Sequence, residues 1–410
     1  MVYGNGTNST LDKVAGNSQI RQEYYDRKAI IDVKDEMYLQ KLSGVMAQPK
    51  NFGKEVVKHR YVPLLDDGNE NAGSGIDTDG VTLTNGNLYG SSRGTGFISG
   101  KLPDLSEDAG RVNKVSFSRK EVRGSIANRG FFFEYTKDQM NFDSDPKFKQ
   151  YITTEAVRGA TQINEDVLAI ELINNAGVVY TAGAAGIDTV AEVNWTSVPT
   201  IEDLIRLDTE LDNNKCPRDT KVIVGSTLQD TRTVQSARYM FISPDVKMDF
   251  MSIKALNGTD DAFVPVEQYQ GAAGDKKYIR TIHGEIGKVG PFRIVVHPKM
   301  VKYSDAAGAA AGAAWTAGDN SGEGAEFRND GTKYEVYPCL VVGSEAFTHI
   351  AFEMGAGTQG KFQVTHKTPE ELRSRENPFG KVGMTVIEFW TGVLVEHSEW
   401  VAVYRIAAKY

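Results

Sequence analysis

The residues with the clearest potential for chemistry form one glycine-rich stretch, GAGTQGKF, at 355–362. Gly355, Gly360 and Lys361 have the spacing of a loop whose backbone N–H groups wrap nucleotide phosphates. Such a loop also needs a Ser or Thr after the lysine, to hold Mg²⁺, and a helix whose N-terminus faces the anion. Here Phe362 follows the lysine, and FQVTHKTP alternates apolar and polar residues as a strand does. We therefore predict a glycine-rich turn between two strands at this position.

The other residue types that commonly do chemistry are scattered along the chain. No two histidines have metal-ligand spacing, and the HExxH and CxxC motifs are absent from the sequence. Asp77 and Asp79 resemble a fragment of a calcium loop, but the remaining ligands of such a loop are missing. We predict no catalytic residue, no cofactor and no metal site.

The composition restricts the class of protein. A length of 410 residues allows two or three domains, and a net charge of -8 argues against a dedicated nucleic-acid binder, which would carry a basic excess. Cys216 and Cys339 are the only cysteines, which favours a reducing compartment. No apolar run of about 20 residues is present, and the N-terminus is polar. These features predict a cytoplasmic protein without a membrane span or signal peptide.

One predicted strand carries a local basic surplus. Six basic residues between 111 and 130 accompany a single carboxylate, Glu121, so the local charge is about +5. The six are Arg111, Lys114, Arg119, Lys120, Arg123 and Arg129. They could form a solvated strand face that discourages edge pairing, or a basic arm that contacts an acidic neighbouring subunit. Nucleic-acid binding ranks third, because the nearby aromatics cluster at 131–133 and do not alternate with the basic residues.

The elements that hold this strand form an unusual series. Two strand-like segments, 54–65 and 111–136, flank a segment at 66–100 that has nine glycines in 35 positions, which predicts a long hairpin with a loop at its tip. Pro63 suggests that the first strand lies at a sheet edge. A helix is predicted over 146–175, with Asp145 as its N-cap and Pro146 at its first position. Its predicted apolar stripe consists of Phe148, Ile152, Ala156, Ile163, Val167 and Ile170.

The rest of the chain has an α/β pattern that ends in strands. Thr200 and Asp203 predict the start of a helix, followed by the strand candidate KVIVGS and a second helix candidate, LQDTRTVQSARYM. Strands are predicted over 290–300 and 337–352 and in the C-terminal stretch, and an Ala/Gly-rich insert is predicted as a surface loop over 304–333. Projecting elements without a catalytic constellation indicate self-assembly, because they need a neighbour to lie against.

This order of elements resembles the major capsid proteins of tailed bacteriophages, which have the Hong Kong ninety-seven type fold. Several short segments of the sequence are most similar to the coat proteins of N-four-like podoviruses. The similar segments are QPKNFGKEVVKHRYVPL, TQINEDVLAIEL, VPTIEDLIRLDTELDNN, GEIGKVGPFRIVVHPKM, YPCLVVGSEAF and NPFGKVGMTVIEFWTGVLVEHSEWVAVYRI.

The resemblance implies an α+β fold with an N-terminal arm, an extended β-hairpin loop, a long spine helix, a peripheral domain and an axial domain. The expected boundaries are an arm over 1–50, the hairpin with its flexible tip over 51–137, the first part of the peripheral domain with the spine helix over 138–197, the axial α/β domain with its insert over 198–370, and a returning β-rich segment over 371–410.

The resemblance also implies a function. The chain would self-assemble into hexamers and pentamers of an icosahedral head around double-stranded DNA, without reading its sequence. The expected partners are other copies, a separate scaffolding protein, a portal and a possible decoration protein, with assembly in the host cytoplasm and a final place in the virion capsid. Two alternatives stay open: a nucleotide-using α/β enzyme that works through the defective loop at 355–362, and a virion decoration or adhesion protein.

Overall fold

A computed structural model gives the fold of the chain. It describes residues 37–48, 53–61, 119–142, 148–183, 189–218, 220–223, 231–234, 238–271, 284–304, 306–308, 327–329, 332–352, 363–375 and 377–409. Several predictions fall outside these ranges. They concern the arm up to residue 36, the hairpin tip with Arg111 and Lys114, the helix cap at Asp145 and Pro146, the stretch 355–362 and most of the insert 304–333.

The described residues form five α-helices and fifteen strands. The helices are α1 (Lys137–Phe142), α2 (Phe148–Asn174), α3 (Ile201–Asn213), α4 (Lys247–Met251) and α5 (Val266–Gly271). The strands are β1 (Gly44–Gln48), β2 (Glu55–Tyr61), β3 (Arg119–Thr136), β4 (Val178–Thr181), β5 (Thr220–Ile223), β6 (Thr231–Val234), β7 (Arg238–Ile242), β8 (Phe263–Pro265), β9 (Glu285–Val289), β10 (Phe292–Val296), β11 (Val336–Val342), β12 (Phe347–Phe352), β13 (Gln363–Lys367), β14 (Val382–Val395) and β15 (Val401–Ala407).

These elements belong to two compact units. The smaller unit has its described residues in Phe132–Arg158 and Val364–Val386, and the larger unit comprises Glu36–Phe131, Gly159–Gln363 and Ile387–Tyr410. Helix α2 and strands β3 and β14 begin in one unit and end in the other. In the smaller unit β13 pairs with β14.

The larger unit is built on a mixed seven-stranded sheet with the order β4-β15-β11-β7-β10-β9-β8. Its middle strands are buried on both faces. Tyr239 of β7 packs in one apolar cluster with Leu168 of α2. Its neighbour Met240 points to the opposite face and packs in a second cluster with Leu207 of α3. Successive strand residues face opposite sides, so continuous apolar runs are needed where helices cover both faces.

This two-sided burial explains why one predicted helix is wrong. The sequence pattern predicts a helix over 228–240, but the described part of that segment forms β6 and the first residues of β7. All five residues of β7, RYMFI, are buried. An unbroken buried run of this length suits a central strand, whereas a helix at this place would need an apolar stripe on one side only.

Helix α3 confirms the predicted start at Thr200. The Thr200 side chain accepts the backbone N–H of Asp203 at 3.2 Å, which satisfies one of the N–H groups left free at a helix N-terminus. Leu204, Leu207 and Leu211 are fully buried, as their spacing predicts. The leucine stripe predicted from the sequence is therefore the face of α3 that is buried against the sheet.

Helix α2 confirms the long predicted helix, at 27 residues or about 40 Å, but its buried face differs from the prediction. Ile170, a member of the predicted apolar stripe, is 46% exposed. In the larger unit the buried face includes Leu168 and Leu172 and two polar residues, Asn164 and Glu165. The apolar pattern missed this face because part of it is polar.

The second sheet has the order β1-β12-β14-β3-β2, which places β2 at one end of the described strands, as Pro63 suggests. Strands β2 and β3 pair antiparallel, and β1 adds to β12 in parallel. The predicted strands around 54–65, 111–136, 290–300, 337–352 and the C-terminal stretch are therefore present.

Asp249 of α4 makes stability depend on pH. Its side chain is 2% exposed, and both carboxylate oxygens accept the backbone N–H of Lys409, at 3.4 and 3.2 Å. Burial raises the pKa of Asp249 from 3.8 to about 7, although the bond from Lys409 opposes the shift. Between these pKa values the folded chain holds a proton that the unfolded chain has released. The free energy of unfolding therefore falls as pH rises from 4 through 7, by up to about 4 kcal/mol.

We expect Asp249→Asn to remove this loss, because the amide keeps an acceptor for Lys409 and carries no charge. The melting temperature of unassembled subunits should exceed that of wild type at pH 8, and the gap should close toward pH 4. Asp138→Asn, at an exposed position of α1, is the control and should leave the pH profile unchanged. An equal gain at pH 4 and pH 8 would contradict the assignment to Asp249.

Candidate intersubunit surface on the β2–β3 hairpin

Strand β3 of the β2–β3 hairpin carries the four members of the predicted basic set that the structure describes, Arg119, Lys120, Arg123 and Arg129. Its register pairs Glu55 with Ser125 and ends with Tyr61 opposite Arg119. Alternate residues point to opposite faces. Val56 and Ile126 are 7% exposed and pack with Ile350 in a small apolar cluster. The hairpin therefore has an inner apolar face and an outer face that meets solvent.

Close packing on the inner face explains the residue at Gly124. A Cβ atom at this position would lie 3.1 Å from side-chain atoms of Ile350 and Leu394. The small residue lets β3 lie directly against the cluster, and the burial alternation around it then turns Arg119, Glu121 and Arg123 outward.

The outer face carries a group of exposed ion pairs. Glu121 lies 3.1 Å from the Arg123 guanidinium, 3.7 Å from Arg119 and 3.9 Å from His59. The hydrogen bond from Arg123 lowers the pKa of Glu121. Arg123 also lies 3.9 Å from Glu55, and both side chains are about two-thirds exposed. Because water screens such pairs, they contribute little to folding and could exchange partners with another surface.

The structure brings together only part of the predicted set. Arg119 and Arg123 share one face and one carboxylate. Lys120 lies on the strand opposite Arg60, but its side chain falls outside the described atoms. Arg129 is exposed further along β3 and forms no ion pair with another residue of the described ranges. Arg111 and Lys114 lie outside those ranges.

Sequence reasoning missed the side chains that fix the base of the hairpin. Lys58 contacts Glu396 at 2.6 Å, and Arg60 contacts Glu399 at 2.5 Å. We call these four residues the hairpin anchor. Lys58 and Arg60 lie two and four positions after the buried Val56, so their side chains point to the same inner face of the strand. A charged side chain on that face needs a partner. Their carboxylates lie more than 300 residues away, so no local pattern could identify them.

Glu399 is the better buried carboxylate of the anchor, with its side chain 23% exposed. Burial disfavours its charge, but hydrogen bonds from His397 and Arg60 outweigh this effect and lower its pKa from 4.5 to about 2. The His397 ring also stacks on Trp400, with ring centroids 3.8 Å apart. The anchor stabilises the fold fully above pH 4.5, and this contribution is lost as pH falls toward 2.

We expect Glu399→Gln to lower the free energy of unfolding by about 2 kcal/mol at pH 7, a value that allows for partial solvent screening. The deficit should shrink between pH 4.5 and pH 2, since the wild-type carboxylate then becomes neutral too. Urea unfolding of subunits at several pH values measures both effects. Glu121→Gln, which removes an exposed carboxylate of the same hairpin region, should cause no measurable loss. Equal losses for the two variants would contradict the anchor.

The strands on either side of the glycine-rich stretch argue against a phosphate-binding loop. The stretch 355–362 lies outside the described residues, but the segments on either side of it, β12 and β13, are both strands, as predicted. A phosphate-binding loop needs a helix where β13 lies. Within the described ranges, His, Cys, Asp and Glu side chains form no group suited to hold a metal ion. None of the helices in these ranges has the length and apolar composition needed to cross a bilayer.

Comparison with known proteins agrees with this architecture. The model of a family described as phage capsid protein matches residues 119–406. The major capsid protein of Pseudomonas phage KPP21 is 39% identical over 392 residues, which cover 95% of this chain and 94% of that protein.

Two solved capsid structures share the fold. The capsid of Ralstonia phage GP4 has a TM-score of 0.58 at 10% identity and covers 100% of this chain and 99% of that chain. The capsid of cyanophage P-SCSP1u has a TM-score of 0.50 at 11% identity, with coverages of 94% and 93%. The predicted α+β capsid fold is thereby confirmed, and so is a structural role instead of an enzymatic one. The chain belongs to the phage capsid protein family.

Proposed function

We propose that copies of this chain assemble as hexamers and pentamers into the icosahedral head of a phage and enclose double-stranded DNA. The similarity to a major capsid protein along nearly the whole chain is the observation that carries this proposal. The net charge of -8 supports an enclosing role, since an acidic surface does not bind the enclosed DNA tightly.

The outer face of the hairpin is proposed as an intersubunit contact. Arg119 and Arg123 are exposed and already paired with a weakly held carboxylate, so a neighbour's acidic surface could replace that carboxylate at small cost. Arg111, Lys114, Lys120 and Arg129 are proposed to extend the same contact. The arm, hairpin, peripheral and axial boundaries expected from the sequence are proposed as the parts of the subunit.

The remaining partners are proposed from the same role. A separate scaffolding protein is proposed as a partner during assembly. A portal and a possible decoration protein are proposed to complete the head, with assembly in the host cytoplasm. The finer likeness to N-four-like podovirus coat proteins is also part of the proposal.

Reversing the hairpin charges tests the contact. We expect Arg119→Glu with Arg123→Glu to prevent particle formation, because like charges would then face the neighbour's acidic surface. The subunits should stay folded by circular dichroism, since both side chains are exposed. Negative-stain electron microscopy and sedimentation velocity of the expressed chain, with its scaffold if needed, measure assembly.

Arg206→Glu with Lys254→Glu is the matched control. It makes the same change of charge at two exposed side chains that also form ion pairs, Arg206 with Glu202 and Asp203, and Lys254 with Asp261. The control should assemble like wild type. Normal particles from the hairpin variant would refute the contact, and failure of both variants would show a general effect of charge.

A further inference from the structure

A buried carboxylate of the long helix holds the first described residues of the chain. Glu165 of α2 is 4% exposed. One of its oxygens, Oε1, accepts the backbone N–H of Tyr38 at 2.8 Å and also the backbone N–H of Leu39. These partners lie 127 and 126 positions earlier in the sequence, so the contact joins two distant parts of the chain.

The two N–H groups belong to the start of a short 3₁₀ turn, Leu39–Lys41. The first N–H groups of a helical turn have no acceptor within the turn and need one from elsewhere. The residue at the capping position is Tyr38, which makes no side-chain capping bond. Glu165 therefore caps this turn from another element.

A further residue, His297, completes the site that holds Tyr38 and Leu39 against Glu165. We call this site the seat. The ring of His297 lies 4.9 Å from the ring of Tyr38, and its Nε2 lies 3.9 Å from Oε1 of Glu165. Nδ1 of His297 accepts the backbone N–H of Lys299 at 3.2 Å, so the hydrogen of the neutral ring is on Nε2 and faces Glu165.

A glycine makes room for the Tyr38 ring. Gly284 has a φ of +84°, and a Cβ atom there would lie 2.9 Å from Cε1 of Tyr38 and 2.9 Å from the carbonyl oxygen of Val296. Tyr38 and Leu39 are thus held by burial in the apolar cluster that contains Leu168, by one carboxylate and by one position without a side chain.

The chain beyond this turn is held less firmly. After Leu42 it continues as β1, which pairs with β12 only among the described strands. Edge strands with one partner open more easily than central strands. The point that fixes this segment is therefore the seat of the 3₁₀ turn.

We propose that Glu165 is a latch for the root of the N-terminal segment, which keeps residues 37–48 seated on α2. Neutralising it releases this root, while the seven-stranded sheet stays folded. The latch is a positioning device of the subunit itself and does not depend on the proposed shell contacts.

Hydrogen exchange of unassembled subunits tests the latch. In Glu165→Gln, exchange in peptides that cover 37–48 should be at least about tenfold faster than in wild type, while β7 and β11 stay within about twofold. Glu171→Gln is the matched control, because it neutralises an exposed carboxylate of the same helix. Unchanged exchange over 37–48, or an equal increase in β7 and β11, would overturn the proposal.

A second variant attacks the same seat without changing any charge. Gly284→Ala should produce the same local increase, because its methyl group collides with Tyr38. Gly258→Ala is its control, with a φ of +72° and no atom within 4 Å of the added Cβ, so it imposes similar backbone strain without a collision. If Glu165→Gln does not fold, the Gly284→Ala result decides. Equal exchange over 37–48 in the two glycine variants would refute the seat.

Discussion

The burial of the seven-stranded sheet on both faces is the constraint on which the rest of the subunit depends. Strands such as β7 and β11 are buried at every position, so neither face can be left in water. Helix α2 covers one face and α3 the other. Fully burying each large apolar side chain contributes about 1.5–3 kcal/mol, and the sheet and its helices bury dozens of them. Strand β2 and residues 119–131 of β3 belong to the same unit as this sheet.

Two buried residues with ionisable side chains, Arg238 and Glu165, have hydrogen-bond partners in the larger unit. Arg238, at the start of β7, is 1% exposed, and its guanidinium donates to Asp208, to Asp212 at 2.7 Å and to the carbonyl of Cys216 at 2.7 Å. Glu165 accepts hydrogen bonds from two backbone N–H groups. A buried charge without such partners would cost several kcal/mol, so each of these residues ties together segments that are distant in sequence. Apolar burial sets the layers, and the paired charges fix which segments meet.

The sequence predicted the elements whose signals are local. The cap at Thr200, the leucines of α3, the long helix and the alternating strands of the hairpin all depend on patterns a few residues long. It failed where tertiary context decides. Residues 228–240 contain no glycine or proline that marks a strand boundary, so only the two-sided burial of β7 identifies it as a strand. Glu165 interrupts the apolar stripe of α2, and its partners lie near the other end of the chain. For the candidate surface, the sequence shows the basic run of β3. It does not show the hairpin anchor, because the carboxylates of the anchor follow β14, far from β2 in the sequence.

The difference between the anchor and the outer face suits a subunit that must assemble. The anchor pairs are partly shielded from water, and the depressed pKa of Glu399 shows that its charge is held strongly. The outer pairs around Glu121 are exposed and hold their charges weakly against competition from salt or from another protein. A hairpin held firmly at its base can present a fixed direction to a neighbour, while its outer charges exchange partners at little cost. Shells of many identical copies need contacts of this kind, since each contact must be weak enough to correct and numerous enough to hold.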